Sequence, residues 1–175
     1  MSFEDIKILL IEKFGQEVIV NEETGGLQPA LLIAPDRIAD VCLELRNNPA
    51  TYFDFLNCLS GIDYGTSANR FGVVYHLTSI PYQTQLVLKI SKENSRGLDE
   101  LPVFPTLSNV YKTAEWHERE AYDLLGIFFE GHPDLRRILL PDDWEGYPIR
   151  KDYQAAEYYK GIAIEYPPKA QQPST

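Results

Sequence analysis

Soft metal and redox ligands are scarce in this sequence, which holds 2 Cys, 3 His and 1 Met among 175 residues. Cys42 and Cys58 have no Cys-x-x-Cys spacing, which excludes a cysteine-held iron–sulfur cluster within the chain. Both lie among apolar residues and read as buried thiols of a reducing compartment. Long apolar runs are also lacking. Stretches such as Ile8–Ile11 are far too short to cross a bilayer, and no basic-then-apolar leader precedes them. Positive charge is in deficit: 16 Lys and Arg face 26 Asp and Glu, for a net charge of −10. A surface of that sign repels phosphate backbones and anionic headgroups, which argues against direct nucleic-acid or lipid binding. There is no Gly-x-Ser-x-Gly elbow, and Gly25-Gly26 has neither the third glycine nor the following helix of a phosphate loop.

What is present fits one globular domain, with 44% apolar and 24% charged residues, long enough to bury a core without disulfides. Ser2 and Asp5 form a capping-box pattern ahead of Phe3, Ile6, Leu10 and Phe14, which share a helical face that Gly15 ends. Two short strands are expected at Glu17–Val20 and Leu27–Ile33, with Pro29 delaying the start of the second. Pro35 and Asp36 open a second helix that buries Ile38, Val41, Cys42 and Leu45 and stops at Asn47-Asn48-Pro49. The period then becomes alternating. Phe53, Phe55, Asn57 and Leu59 share one strand face, Phe71, Val73, Tyr75 and Leu77 a second, and Leu86, Leu88 and Ile90 a third. The order predicts an α+β fold, its helices packed on one face of a mostly antiparallel sheet.

Asn94–Pro105 reads as a loop anchored by Leu98, Leu101 and Val103, and helical character returns over Leu107–Leu125 with a break near Thr113. After Gly126 the periodicity disappears. Prolines punctuate the remainder, yet Phe128, Phe129, Leu135, Ile138, Leu139, Leu140, Trp144 and Tyr147 make it too apolar for a free linker. The expected division is therefore an α+β unit over 1–125 and an irregular segment over 126–175 that docks on a partner. Pro167–Thr175 is expected to be loose.

The polar candidates cluster in the last third. His117-Glu118-Arg119-Glu120-Ala121 lacks the second His of a zinc-protease helix, because Ala121 stands in its place. Glu118 and Glu120 point about 200° apart on a helix, which argues against a carboxylate pair flanking one bond, as an independent hydrolase would need. Glu115, Arg119 and Asp123 instead form an acid–base–acid stripe. It reads either as a solvated face or as a buried ion network where two subunits meet. Arg136-Arg137 and Arg150-Lys151 are the adjacent basic pairs, either ordinary surface charge or anchors of a protein interface.

Read continuously, Trp116–Ile127 (WHEREAYDLLGI) resembles the signature of the C subunit of proton-pumping NADH–quinone oxidoreductase, the 30-kilodalton-type subunit of respiratory complex I. Gly131–Leu139 (GHPDLRRIL) and Pro141–Tyr153 (PDDWEGYPIRKDY) resemble its continuation. The resemblance implies a non-redox structural subunit of the peripheral arm, on the cytoplasmic side of the inner membrane and without a span of its own. It implies an oxidoreductase and translocase only through the whole complex, with no catalytic, cofactor or metal residue in this chain. FMN, iron–sulfur clusters and quinone would be held by other subunits, and subunits D, B and I would be its partners. The signature and expected interface comprise Glu118, Arg119, Glu120, Asp123, His132, Arg136, Arg137, Trp144, Arg150, Lys151 and Asp152. The end of the chain soon after the signature favours the form not fused to the following subunit. The equivalent subunit of a related membrane-bound hydrogenase or dehydrogenase complex is the alternative.

Overall fold

The computed structural model describes residues 1–163, so the tail expected to be loose, Pro167–Thr175, lies outside the described residues. Helix α1 (Phe3–Phe14) starts on the capping box read in the sequence: Asp5 N donates to Ser2 Oγ, and Ser2 N donates to Asp5 Oδ2. It ends at Gly15, whose φ of 90° is the left-handed region open to glycine. A 3-10 turn then leads into strand β1 (Ile19–Glu23), a little later than expected, and β2 (Ala30–Ile33) begins just after Pro29. Helix α2 (Ile38–Asn47) buries Ile38, Val41, Cys42 and Leu45.

Strands β3 (Phe55–Asp63), β4 (Arg70–Ser79) and β5 (Thr84–Glu93) form an antiparallel meander. With the first pair they make a five-stranded sheet of order β1-β2-β5-β4-β3, in which only β2 and β5 run parallel. The helices cover one face. Leu31, Ile33, Val73, Tyr75, Leu77, Leu86, Leu88 and Ile90 meet them in a continuous core, confirming the α+β arrangement.

Three local expectations change. The face expected for β3 holds at Phe53 and Leu59, which are buried, but fails at Phe55 and Asn57, because the register against β4 shifts between Leu56 and Cys58. The extra residue turns Leu56 and Leu59 both inward, opposite Leu77 and Tyr75, and leaves Phe55 and Asn57 exposed. Cys58 is consequently half-buried rather than buried, and its Sγ lies 3.3 Å from Ser60 Oγ. The loop before α3 is anchored by Phe104, not by Leu98 and Val103, which are exposed. Phe104 is buried because strand β6 (Val103–Pro105) pairs in parallel with β7 (Phe128–Glu130), a ladder between segments with no alternating pattern long enough to announce it.

Helix α3 (Ala114–Leu125) begins at the predicted break, while residues 107–111 form tight turns. Tyr111 pins those turns, its hydroxyl donating to the Phe53 carbonyl at 2.8 Å. Gly61 of β3 has no Cβ, and one placed there would sit 2.6 Å from Leu125 Cδ1, so the glycine lets α3 approach the sheet.

Candidate functional site

Helix α3 places Asp123 one turn before its left-handed Gly126 terminus, with no side-chain exposure. Its carboxylate accepts from the backbone N–H groups of Ile138, Leu139 and Leu140 at 3.0, 2.7 and 2.8 Å, and from Arg137 Nη1 at 2.7 Å. Burial pushes the Asp123 carboxyl upward, but those donors outweigh it and hold the group below the usual carboxylate range. A chain with no helix or ladder has no other acceptors for these amides, so one carboxylate organises residues 138–140.

Arg137 extends the grip. Besides Asp123 it donates to the carbonyls of Trp144 and Gly146 at 3.0 and 2.9 Å, and its guanidinium lies 5.3 Å from the Tyr147 ring centre. Arg119, one turn before Asp123, does not pair with it. It donates instead to the Arg136 and Arg137 carbonyls at 3.1 and 2.9 Å, with its guanidinium over the ring of Trp116. The acid–base–acid stripe is therefore three separate contacts, with Glu115 meeting Lys112 at 3.2 Å.

A second clamp holds the far end of the segment. Arg96 donates to both oxygens of Asp63 at the end of β3 and reaches Asp152 through Nε at 3.1 Å. Arg150 donates to Asp152 from Nε at 3.1 Å and to the Arg96 carbonyl at 2.6 Å. Both guanidiniums lie over Phe71, at 4.7 and 5.0 Å from its centre. Asp63 also accepts from Lys151 N at 2.7 Å. Burial raises the Asp63 carboxyl, while Arg96 and the Lys151 and Gly65 amides bring it below its ordinary value. Arg96 beside Asp152 depresses that group strongly, against a smaller opposing effect of burial.

The remaining signature residues divide by exposure. Glu118 is fully buried and His132 sits beside it, whereas Glu120 is exposed on another side of α3. Arg136 is exposed and pairs with Asp134 at 3.0 Å; the Lys151 side chain is exposed. Trp144 packs at 5.3 Å against Tyr159, whose strand β8 (Tyr158–Tyr159) pairs with β9 (Ile162–Ala163). Sequence reasoning missed Asp63, Arg96 and Thr106. Asp63 and Arg96 are brought together only by the meander, and no local spacing links them.

The clamped segment leaves apolar side chains facing outward along one flank of α3. Leu139 follows the Asp123 contact, Ile149 N donates to the Leu124 carbonyl, and Trp116 stands at the helix start. Trp116 and Leu139 are each 63% exposed and Ile149 53%. Among the described residues no group of three or more His, Cys, Asp or Glu is placed to hold a metal ion, and no helix is long and apolar enough to cross a membrane.

Residues 31–159 match the respiratory-chain NADH dehydrogenase 30 Kd subunit family. The chain is 42% identical over 159 residues to the C subunit of NADH-quinone oxidoreductase from Chloroherpeton thalassium, covering 89% of this chain and 62% of that protein. It is 48% identical to the corresponding Salinispora arenicola protein, covering 78% of this chain and 52% of the relative. The Chlorobium phaeobacteroides protein of the same name is 38% identical, with 89% and 90% covered. The chain thus spans between about half and nine-tenths of these relatives. A chain from the membrane-bound sulfane sulfur reductase, an archaeal respiratory membrane complex, superposes with a TM-score of 0.69 at 25% identity, covering 86% of this chain and 85% of that one.

Proposed function

This chain belongs to the respiratory-chain NADH dehydrogenase 30 kDa subunit family, and from that premise we propose that it is a non-redox structural subunit of a proton-translocating NADH–quinone oxidoreductase. Its role is to position neighbouring subunits of the peripheral arm on the cytoplasmic face of the membrane. Subunits D, B and I are the partners in this reading, and they carry the FMN, iron–sulfur clusters and quinone site between them and the rest of the complex.

The observation that supports it best is the double clamp. Arg119 and Arg137 at one end, and Arg96 and Arg150 at the other, spend their donors on fixing an irregular segment. That segment presents Leu139 and Ile149 outward beside Trp116. Ordering a chain without regular structure costs about 1–2 kcal/mol per residue in backbone entropy. A fold that meets this cost to hold exposed apolar groups in fixed positions is suited to docking. Glu118 and Glu120 do not favour hydrolysis, since one is enclosed and the other stands on a different helix side.

A second reading is the equivalent subunit of a related membrane-bound complex, favoured by the fold shared with the sulfane sulfur reductase chain. Affinity purification of a tagged copy from gently solubilised membranes, followed by native mass spectrometry, separates the two. Co-recovery of flavin and iron–sulfur NADH-oxidising subunits supports the first reading, and hydrogenase-type or sulfur-reductase subunits support the second. A free 20.0 kDa protein, under conditions that keep a respiratory complex whole, rejects both.

A further inference from the structure

Glu118 is enclosed on every side, and among the described residues no Lys or Arg pairs with it. Its Oε1 accepts from Leu107 N at 2.6 Å and its Oε2 from the Thr106 hydroxyl. Thr106 Oγ1 in turn lies 2.9 Å from Ser108 Oγ and accepts from Ser108 N at 3.1 Å. The titratable groups around it include no Lys or Arg among the described residues. From α3 there is Glu115, a further negative charge. From the turn after β7 there is His132, its ring 4.0 Å away. Asp134 N donates to His132 Nδ1, so the ring hydrogen lies on Nε2, directed at the Glu115 carbonyl. From β4 comes Tyr75, whose buried hydroxyl has no partner among the described residues, with Cys42 of α2 behind it.

We propose that Glu118, Thr106 and Ser108 form an internal proton-binding site that makes the stability of this chain depend on pH. In the ionised state Thr106 donates its hydroxyl hydrogen to Glu118. When Glu118 takes a proton from solvent onto Oε2, that O–H donates to Thr106 Oγ1, and the Thr106 hydrogen turns to Ser108 Oγ. No heavy atom must move, because the Thr106–Ser108 distance already suits the reversed chain. Leu107 N keeps its acceptor in both states. The site lies where the β6–β7 pair joins α3, since Thr106 N donates to the Glu130 carbonyl. Burial, which disfavours the ionised form more than the Thr106 and Leu107 donors support it, pushes the Glu118 carboxyl up to about 7.

The sign follows from linkage. A carboxyl whose folded value lies above its unfolded value binds more protons when folded. Its contribution is complete below the unfolded value and lost as pH rises through the folded one. The test is the Glu118 Cδ resonance of the full chain, isotope-labelled and followed from pH 4 to pH 9, alongside denaturant unfolding. The expected midpoint is about 7, with Thr106→Val moving it upward and Thr106→Ser leaving it in place. The folded-to-unfolded ratio of the wild type, relative to Glu118→Gln, should fall about tenfold per pH unit between the two midpoints. A wild-type midpoint within one unit of the ordinary glutamate value of about 4.3 overturns the proposal even where a variant fails to fold.

Discussion

Asp123 Oδ1 meets Arg137 Nη1 at 2.7 Å while Asp123 Oδ2 accepts the amides of Ile138, Leu139 and Leu140. One carboxylate thus neutralises a guanidinium and replaces a missing turn of secondary structure. Asp123→Ala should cost about 3–5 kcal/mol, since it strands a largely enclosed charge and the amides together. Arg137→Ala should cost a similar amount, and the double variant much less than the sum. Urea unfolding of all four proteins measures the coupling; a value near zero would show that the two groups act independently.

Arg96 reaches two carboxylates in a fork geometry that lysine does not reproduce. Arg96→Lys should therefore loosen residues 146–153 almost as much as Arg96→Ala. Hydrogen exchange of the Lys151 and Tyr153 amides, which donate to Asp63 and to the Arg150 carbonyl, should speed up in both variants. Protection unchanged by Arg96→Lys would place the clamp elsewhere.

Acid should act at the clamps first. Asp63, Asp123 and Asp152 are all held below their ordinary value of 3.8. A carboxyl depressed in the folded state gives stability that is present above its unfolded value and lost as pH falls through the folded one. Unfolding midpoints should thus decline below about pH 4, and Asp152→Asn should blunt that decline. Retention of the full wild-type slope in this variant would remove Asp152 from the account.

Trp116 and Leu139 should matter only in company. Being 63% exposed each, they should change the unfolding free energy of the chain by less than about 0.5 kcal/mol when mutated to Ala and Asp respectively. Incorporation into the membrane complex, read by blue-native electrophoresis, should fall several-fold. Normal incorporation of the double variant would move the docking surface off this flank of α3.

Much of the fold could be read locally. The Ser2–Asp5 box, the α2 stripe and the alternation in β4 and β5 express short-range periodicities, which the chain carries in its own order of residues. The bulge in β3 could not be read this way. It depends on which residues of β4 stand opposite, and one inserted position turns Leu56 inward and Phe55 outward on the strand before it.

The same division runs through the candidate site. By itself the sequence determined the fold class, the acidic surface, the absence of cysteine-cluster spacing and the divergence of Glu118 from Glu120, because these follow from composition or from spacing within one helix. Only the tertiary structure decided that Arg119 serves backbone carbonyls rather than Asp123, that Arg96 joins Asp63 to Asp152, and that Glu118 is enclosed with hydroxyl and amide donors in place of a cation. Partner choice by a long, flexible charged side chain is settled by whichever acceptor remains unpaired within reach after folding. That acceptor here is the backbone of an irregular segment, which carries no signature in sequence.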